Sequence, residues 1–363
     1  MSSSGTVAPV SAASAASPEG SPARDNAAPE YLLQVRRLKM YFPIKKGFLR
    51  RTVGHVKAVD DVSFGVQRGT VFGLVGESGC GKSTTGRCVV RLLQATAGEI
   101  VFQAPGAAPV HMETLGPDAL RAMRRHIQII FQDPYASLNP RLTLKQIVSE
   151  PLVINRICHG QELQDRVAAL LRDVGLSPEY MNRYPHAFSG GQRQRISLAR
   201  ALALNPEFIV ADEPVSALDV SVQAQILNLI KALQETFDLT YLFIAHNMSV
   251  IKHVCDSVAV MYVGQIVEMA TTRALFAHPL HPYTEALLTA IPAPDPRRRA
   301  QRIILEGDVP DPANPPAGCY FHSRCAYAQD VCGTETPPLV EYRPGHFARC
   351  HFALDLTLQG IPV

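Results

Sequence analysis

Val71-Phe72-Gly73-Leu74-Val75-Gly76-Glu77-Ser78-Gly79-Cys80-Gly81-Lys82-Ser83-Thr84 decides the fold. A short apolar run enters G-x-x-x-x-G-K-[ST], and a helical pattern over 82–93 follows. The glycines let the backbone curl so that successive N–H groups and the helix start point inward at an anion, which suits a triphosphate. In such a cradle Lys82 reaches the β- and γ-phosphates and the Ser83 hydroxyl is a ligand for Mg²⁺. The thiol of Cys80 occupies a variable position and carries no expected chemistry.

Upstream, YLLQVRRLKMYF (31–42) reads as a strand, and VKAVDDVSFGVQRGTVFGLVG (56–76) as two β-branched runs joined at Gln67-Arg68-Gly69 in the manner of a hairpin. Downstream, strands are expected at 127–131, 208–211, 241–245 and 258–263, and helices at 192–204 and 222–237. This alternation predicts an α/β fold with a largely parallel sheet and an antiparallel β edge. Between about 140 and 204 strand signals stop and helical periodicity takes over, so a helical insertion is expected there. The first 28 residues are nearly all Ser, Ala, Gly and Pro and read as a disordered tail. Beyond Leu280, Pro292, Pro294, Pro296, Pro310, Pro312, Pro315 and Pro316 exclude long helices and central strands. The organisation is therefore a leader (1–28), one α/β unit (29–278) and a Pro-rich, Cys-rich C-terminal region (279–363).

Of the 363 residues 47% are apolar and 18% charged, with no apolar run near the roughly 18 residues a membrane span needs. Net charge is +3, which makes no electrostatic case for nucleic acid. The chain opens without a secretory signal, so a reducing cytoplasm is expected. The basic stretch 36–51 holds Arg36, Arg37, Lys39, Lys45, Lys46, Arg50 and Arg51 and no acid; it is either a solvated face or a contact for anionic headgroups.

A second element complements the cradle. Phe208-Ile209-Val210-Ala211-Asp212-Glu213 is a buried-strand pattern that delivers two carboxylates at its C-terminal edge, where open α/β sheets bind ligands. Asp212 is placed to hold Mg²⁺ and Glu213 to polarise an attacking water. Between these motifs lies Phe188-Ser189-Gly190-Gly191-Gln192, whose serine and glycine amides form a second anion cradle at a helix start.

In that order the motifs resemble those of ATP-binding-cassette (ABC) ATPases, over residues 31 to about 278. The resemblance makes Ser189, Gly190, Gly191 and Gln192 the signature motif. Gln132 in FQDP becomes the Q-loop, with a place beside the Mg²⁺, Asp219 in SALD the D-loop, and His246 in FIAHN the switch histidine. Phe42, beside Tyr41, lies where the family stacks an aromatic on adenine; core packing is the competing role. The resemblance implies two nucleotide-binding subunits meeting head to tail. ATP on Lys82, Ser83 and Asp212 of one chain is then capped by the partner's signature serine, and Glu213, His246, Gln132 and Lys82 serve hydrolysis. A transporter motor and a soluble ATPase acting on DNA or ribosomes are both open to such a cassette. The chain has neither the long coiled coil nor the second cassette of the soluble relatives.

FQDPYASLNPR (131–141), HPLHPYTEALLTAIP (278–292) and the Cys-rich tail further resemble the oligopeptide/dipeptide importer branch. That branch implies a different ATPase subunit as partner, two transmembrane permease subunits, an external substrate-binding protein and a peripheral position on the cytoplasmic face of the inner membrane. It also places residues 132–139 near the permeases. Cys319, Cys325, Cys332 and Cys350 fall in a core-poor segment, which suggests metal stapling, though without the C-x-x-C pairs of ordinary zinc ribbons. The branch implies a [4Fe-4S] cluster on these four thiolates. Zinc, with His322, His346 and His351 as spare ligands, and free or pairwise-oxidised thiols stay open. Cys88, Cys158 and Cys255, like Cys80, read as small structural residues.

Overall fold

The computed structural model describes residues 31–48, 50–133, 135–291 and 303–361. The leader expected at 1–28 and the prolines Pro292, Pro294 and Pro296 lie outside them. β1 (Tyr31–Lys46) and β2 (Arg51–Gln67) form a long antiparallel hairpin through the turn at Gly47 and Arg50. β3 (Val71–Val75) leaves that sheet altogether and pairs in parallel with strands further along the chain. The hairpin expected at Gln67-Arg68-Gly69 is therefore a crossing between two sheets. Its reason lies in the burial pattern: every residue of β3 is buried, which suits a central parallel strand, whereas β2 alternates. The crossing is held because Gly69 N–H donates to Thr240 Oγ1 (2.9 Å) and Gln234 Nε2 donates to the Gly69 carbonyl (2.9 Å).

After β3 come α1 (Lys82–Val89), β4 (Ala97–Phe102), β5 (Val110–His111), α2 (Pro117–Met123) and β6 (Ile127–Ile130). α1 stops short of the expected Leu93. Arg91 turns left-handed (φ 55°), and its guanidinium donates to the carbonyls of Met112 and Glu113. The helical insertion follows as α3 (Leu144–Ile154), α4 (Gly160–Asp173) and α5 (Gly190–Leu202). The chain then returns to the sheet through β7 (Phe208–Asp212), α6 (Val220–Phe237), β8 (Thr240–Ala245), α7 (Met248–Val254), β9 (Ser257–Tyr262), β10 (Gln265–Thr271), α8 (Thr272–Ala277) and α9 (Pro282–Thr289). α10 (Asp330–Thr334), β11 (Val340–Arg343) and β12 (His346–Ala348) lie in the C-terminal region.

Among the described residues the four-stranded sheet has the order β2-β1-β4-β5, and the eight-stranded sheet β11-β12-β10-β9-β3-β8-β7-β6. Strands β9, β3, β8, β7 and β6 are parallel, and β10, β12 and β11 extend the sheet antiparallel. Period-two alternation splits the parallel strands between two cores. Phe72, Leu74, Val210, Leu242 and Ile244 face α1 and the antiparallel sheet. Val71, Val75, Ile209, Ala211 and Phe243 join a core with the helical insertion and Ile226 and Ile230 of α6.

The C-terminal region adheres to the same framework. β12 pairs with β10 through Glu268–Ala348 and Met269–Phe347. Buried Glu268 accepts hydrogen bonds from Leu280 N–H (2.8 Å) and His281 N–H (2.9 Å) and pairs with His346 Nε2 (2.8 Å). His281 caps α9, its Nδ1 accepting from Tyr283 N–H (3.1 Å). Burial, reinforced by the positive charge of Arg349, lowers the His281 pKa to about 3. The folded chain thus refuses a proton that the unfolded chain takes up below its ordinary value of about 6.5. Folding stability carried by His281 is complete above about pH 6.5 and declines as pH falls toward 3, by up to about 1.4 kcal/mol per pH unit. His281→Asn replaces the capping nitrogen with an amide oxygen that accepts the same bond without titrating. Thermal unfolding measured from pH 7 to pH 4 should show the unaltered chain losing stability more steeply than this variant.

Candidate functional site

The cradle joins β3 to α1 with Gly76 (φ 157°), Gly79 (φ 82°) and Gly81 (φ 107°) on the positive side. Two of these glycines are also demanded by space. A Cβ on Gly76 would collide with the carbonyl oxygen of Met261, and one on Gly81 with that of Ala58, so the loop is wedged between β9 and β2. Lys82 is 3% exposed and folds back over the loop, its ammonium donating to the carbonyls of Gly76 and Glu77 (both 2.8 Å). Cys80 is buried beside it, its pKa raised by desolvation, a neutral thiol rather than a nucleophile.

The Ser83 hydroxyl donates to Asp212 Oδ1 (2.6 Å), joining the start of α1 to the end of β7. The other Asp212 oxygen, Oδ2, is buried with no hydrogen-bond partner, and the nearest cation, Arg87, stands 3.9 Å away. Burial raises the Asp212 pKa; Ser83, Arg87 and Lys82 act against it, and Glu213 adds to it. A buried carboxylate with one oxygen unsatisfied beside a serine hydroxyl is the donor set a hard divalent cation requires.

One residue on, Glu213 adopts a left-handed conformation (φ 46°) with its N–H on the Ile244 carbonyl. Its Oε2 receives Gln132 Nε2 at 2.8 Å and lies 3.2 Å from His246 Nδ1. The structure thus brings Gln132, Glu213 and His246 together from the ends of β6, β7 and β8, next to Ser83 and Asp212. Gln132 hydrogen-bonds Glu213, and no hydrogen bond joins it to Asp212 or Ser83.

Ser189 caps α5 as half of a capping box: Gln192 N–H donates to Ser189 Oγ (3.3 Å) and Ser189 N–H to Gln192 Oε1 (3.1 Å). The hydroxyl keeps its own proton available for donation. This second cradle is exposed at Ser189, and among the described residues no hydrogen bond or ion pair links it to Gly76–Thr84. Asp219 caps α6, accepting from Val222 N–H (3.0 Å) and Ser221 Oγ (2.7 Å), bonds that lower its pKa. Phe42 is half-buried opposite Val56. Tyr41 differs from it, because its hydroxyl is tied to Asp60.

Two contacts with the cradle have no counterpart in the sequence reading. Tyr283 Oη accepts from Glu77 N–H (2.9 Å), and Arg324 grips the Glu77 carboxylate through Nη1 to Oε2 (2.8 Å) and Nη2 to Oε1 (3.3 Å). These partners stand 206 and 247 positions along the chain, and no spacing pattern announces them.

In the tail, Cys319, Cys325, Cys332 and Cys350 line one narrow cavity with His322 and His351. Among the described residues no three His, Cys, Asp or Glu side chains gather tightly enough to hold one metal ion. His346 is withdrawn from the thiols by its bond to Glu268, so it is no spare ligand. Burial raises the pKa of Cys319, that of Cys325 to about 12 and that of Cys350 to about 11.

Residues 59–216 match the ABC transporter family, and residues 267–332 the C-terminal region of oligopeptide/dipeptide transporters. The oligopeptide transport ATP-binding protein AppF of Bacillus subtilis (strain 168) is 51% identical over 324 residues, 89% of this chain and 97% of that protein. A solved ATP-binding cassette, dimeric and bound to ADP and phosphate after hydrolysis, superposes with a TM-score of 0.58 at 28% identity, covering 66% of this chain and 99% of its own. CbiO1 from Clostridium perfringens, part of the ABC transporter complex CbiONQ, gives a TM-score of 0.57 at 26% identity, over 68% of this chain and 91% of its own.

The wedge at Gly81 makes a direct demand. Gly81→Ala adds a methyl group against the Ala58 carbonyl at a φ unsuited to alanine. It should cost about 2–4 kcal/mol in thermal unfolding and abolish triphosphate binding in an equilibrium titration.

Proposed function

We propose that this chain, which belongs to the ABC transporter family, is the ATP-hydrolysing subunit that powers import of di- and oligopeptides or related small solutes through separate membrane permeases. The observation that carries the hydrolytic part is the meeting of Gln132 and His246 on one oxygen of Glu213, beside the Ser83–Asp212 pair. Ser83 and Asp212 fit a Mg²⁺ ion, which when bound supplies charge neutralisation on the β- and γ-phosphates. Lys82 exchanges its loop carbonyls for phosphate oxygens. Glu213 orients a water for in-line attack on the γ-phosphorus and takes its proton as the bridging bond to the β-phosphate breaks. Gln132 and His246 hold Glu213 in place for that step, and the backbone N–H groups of the cradle receive the developing charge.

The exposed Ser189 cap supports a composite site in which it serves a partner's nucleotide. A second, different ATPase subunit is the partner we favour. A groove of about 690 Å³ between α2, the end of β6 and α3, lined by Arg121, Phe131, Glu150 and Ile154, suits a helix from a permease. Tyr135 stands 61% exposed and stacks under the Arg193 guanidinium of α5 at 3.8 Å. No helix among the described residues is long and apolar enough to cross a membrane. In the role we propose, the subunit sits peripherally on the cytoplasmic face of the inner membrane and is supplied with solute by an external binding protein.

The four tail thiols support a [4Fe-4S] cluster on Cys319, Cys325, Cys332 and Cys350. These thiols line one cavity, and ligation by thiolates alone is the kind an iron–sulfur cluster takes. Buried thiols whose ionisation is resisted by their surroundings also become stable thiolates only with positive charge between them.

Two measurements test these readings. Glu213→Gln should retain ATP binding, accumulate ATP-bound dimers in size-exclusion chromatography and lose at least about 100-fold in turnover. Undiminished steady-state ATPase activity in that variant would refute the role of Glu213. Anaerobic purification should yield a brown protein with iron and acid-labile sulfide in equal amounts, whereas a colourless, zinc-loaded protein would exclude the cluster.

A further inference from the structure

The second residue of the cradle is an acid, an awkward choice in a loop built to surround a triphosphate. Glu77 is also the point where the C-terminal region touches the cradle. Its carboxylate is held by both terminal nitrogens of Arg324 and its N–H by Tyr283 Oη. The Arg324 side chain is only 7% exposed, and Nη1 also reaches Tyr262 Oη (3.4 Å). Arg324 ends a 3₁₀ turn, His322–Arg324, that is fixed on one side by Phe321. The Phe321 ring is buried against Tyr262, Tyr283 and His281, with centroids 5.3, 5.4 and 5.6 Å away. Two further tethers land on the strand that walls the cradle. Tyr320 Oη donates to Asp60 Oδ2 (3.3 Å), and Lys57 N–H donates to the Pro312 carbonyl (3.0 Å). Ala58, whose carbonyl presses on Gly81, lies between these anchor points.

We propose that Arg324, with Tyr283, is a positioning residue for nucleotide binding, which cancels and aims away the Glu77 charge so that the cradle accepts a triphosphate. The inference rests on the reading of Gly76–Thr84 as the triphosphate site. An unpaired carboxylate in the loop repels each phosphate charge at short range, in surroundings that screen poorly. A bidentate guanidinium removes that repulsion and also fixes the side chain's direction. Tyr283 sets the first peptide of the loop by occupying the Glu77 N–H. The C-terminal region is thereby part of the nucleotide site's wall, reached through residues that touch no nucleotide themselves.

The test is equilibrium binding of a fluorescent Mg-ATP analogue, with unlabelled Mg-ATP as competitor, on the full chain. Steady-state kinetics accompany it. Arg324→Gln should raise the Kd about tenfold while kcat at saturating ATP stays within about twofold. Arg324→Lys, which keeps the charge but not the fork, should raise it about threefold. The double variant Glu77→Gln with Arg324→Gln should return to within about threefold of the unaltered chain, because the repulsion leaves with the carboxylate. Mere damage to the tail would leave this double variant as weak as Arg324→Gln alone, and that result overturns the inference. So does an unchanged Kd in Arg324→Gln, or a fall in kcat with Kd unmoved. Should Arg324→Gln fail to fold, Tyr283→Phe, which preserves the ring packing, should still weaken binding about threefold; unchanged binding there overturns it too. Absence of Mg-ATP binding by the unaltered chain would instead refute the reading of the cradle itself.

Discussion

Parallel pairing of three fully buried strands is the constraint on which the rest depends. β3, β8 and β7 lie side by side with Val75 opposite Ala245 and Asp212 opposite Ile244. Because all three run the same way and end at the same level, whatever follows each strand emerges at one edge of the sheet. The cradle follows β3, Glu213 follows β7 and His246 follows β8. Gln132 arrives by the same logic, two residues past β6, which pairs in register with β7. The chemistry of the site is thus set by apolar residues that take no part in it. Val75, Ala211 and Ile244, each less than 1% exposed, determine where the polar groups stand.

Position alone does not make the site receptive. Lys82 is satisfied by two loop carbonyls and Asp212 only half satisfied, by Ser83. The anion cradle therefore holds its cation in reserve on the backbone, while the carboxylate beside it keeps one oxygen buried and unpaired. Such an oxygen is costly to leave in that state. The energetic asymmetry favours a metal at Asp212 over a rearrangement of the strand that carries it.

Much of this was legible in the residues. The run 71–84 specifies strand, loop and helix within itself, since glycines, lysine and hydroxyl are all local. Asp212 and Glu213 could be read only beside the cradle, because an acidic pair at a strand end is by itself more often a solvated turn. Sheet membership at Gln67–Gly69 could not, because the same turn residues serve a hairpin and a crossing. Only the burial of β3 on both faces separates the two. The grip of Arg324 on Glu77 was illegible for a different reason. The arginine sits between cysteines that draw attention to a metal, and its partner is 247 residues away. His346 shows the converse error, a residue whose type suggests a ligand but whose burial beside Glu268 gives it a structural partner.

The hairpin of β11 and β12 has a further consequence, for solubility. β10 is rich in buried apolar residues, and without a neighbour it would offer a bare row of N–H and C=O groups. β12 occupies that row, and β11 then becomes the outer strand, with exposed Glu341 and Arg343 along it. Charged side chains on an edge strand discourage pairing with other chains. Shortening the chain before Val340 would exchange this guarded border for an adhesive one, so self-association on truncation is built into the topology itself.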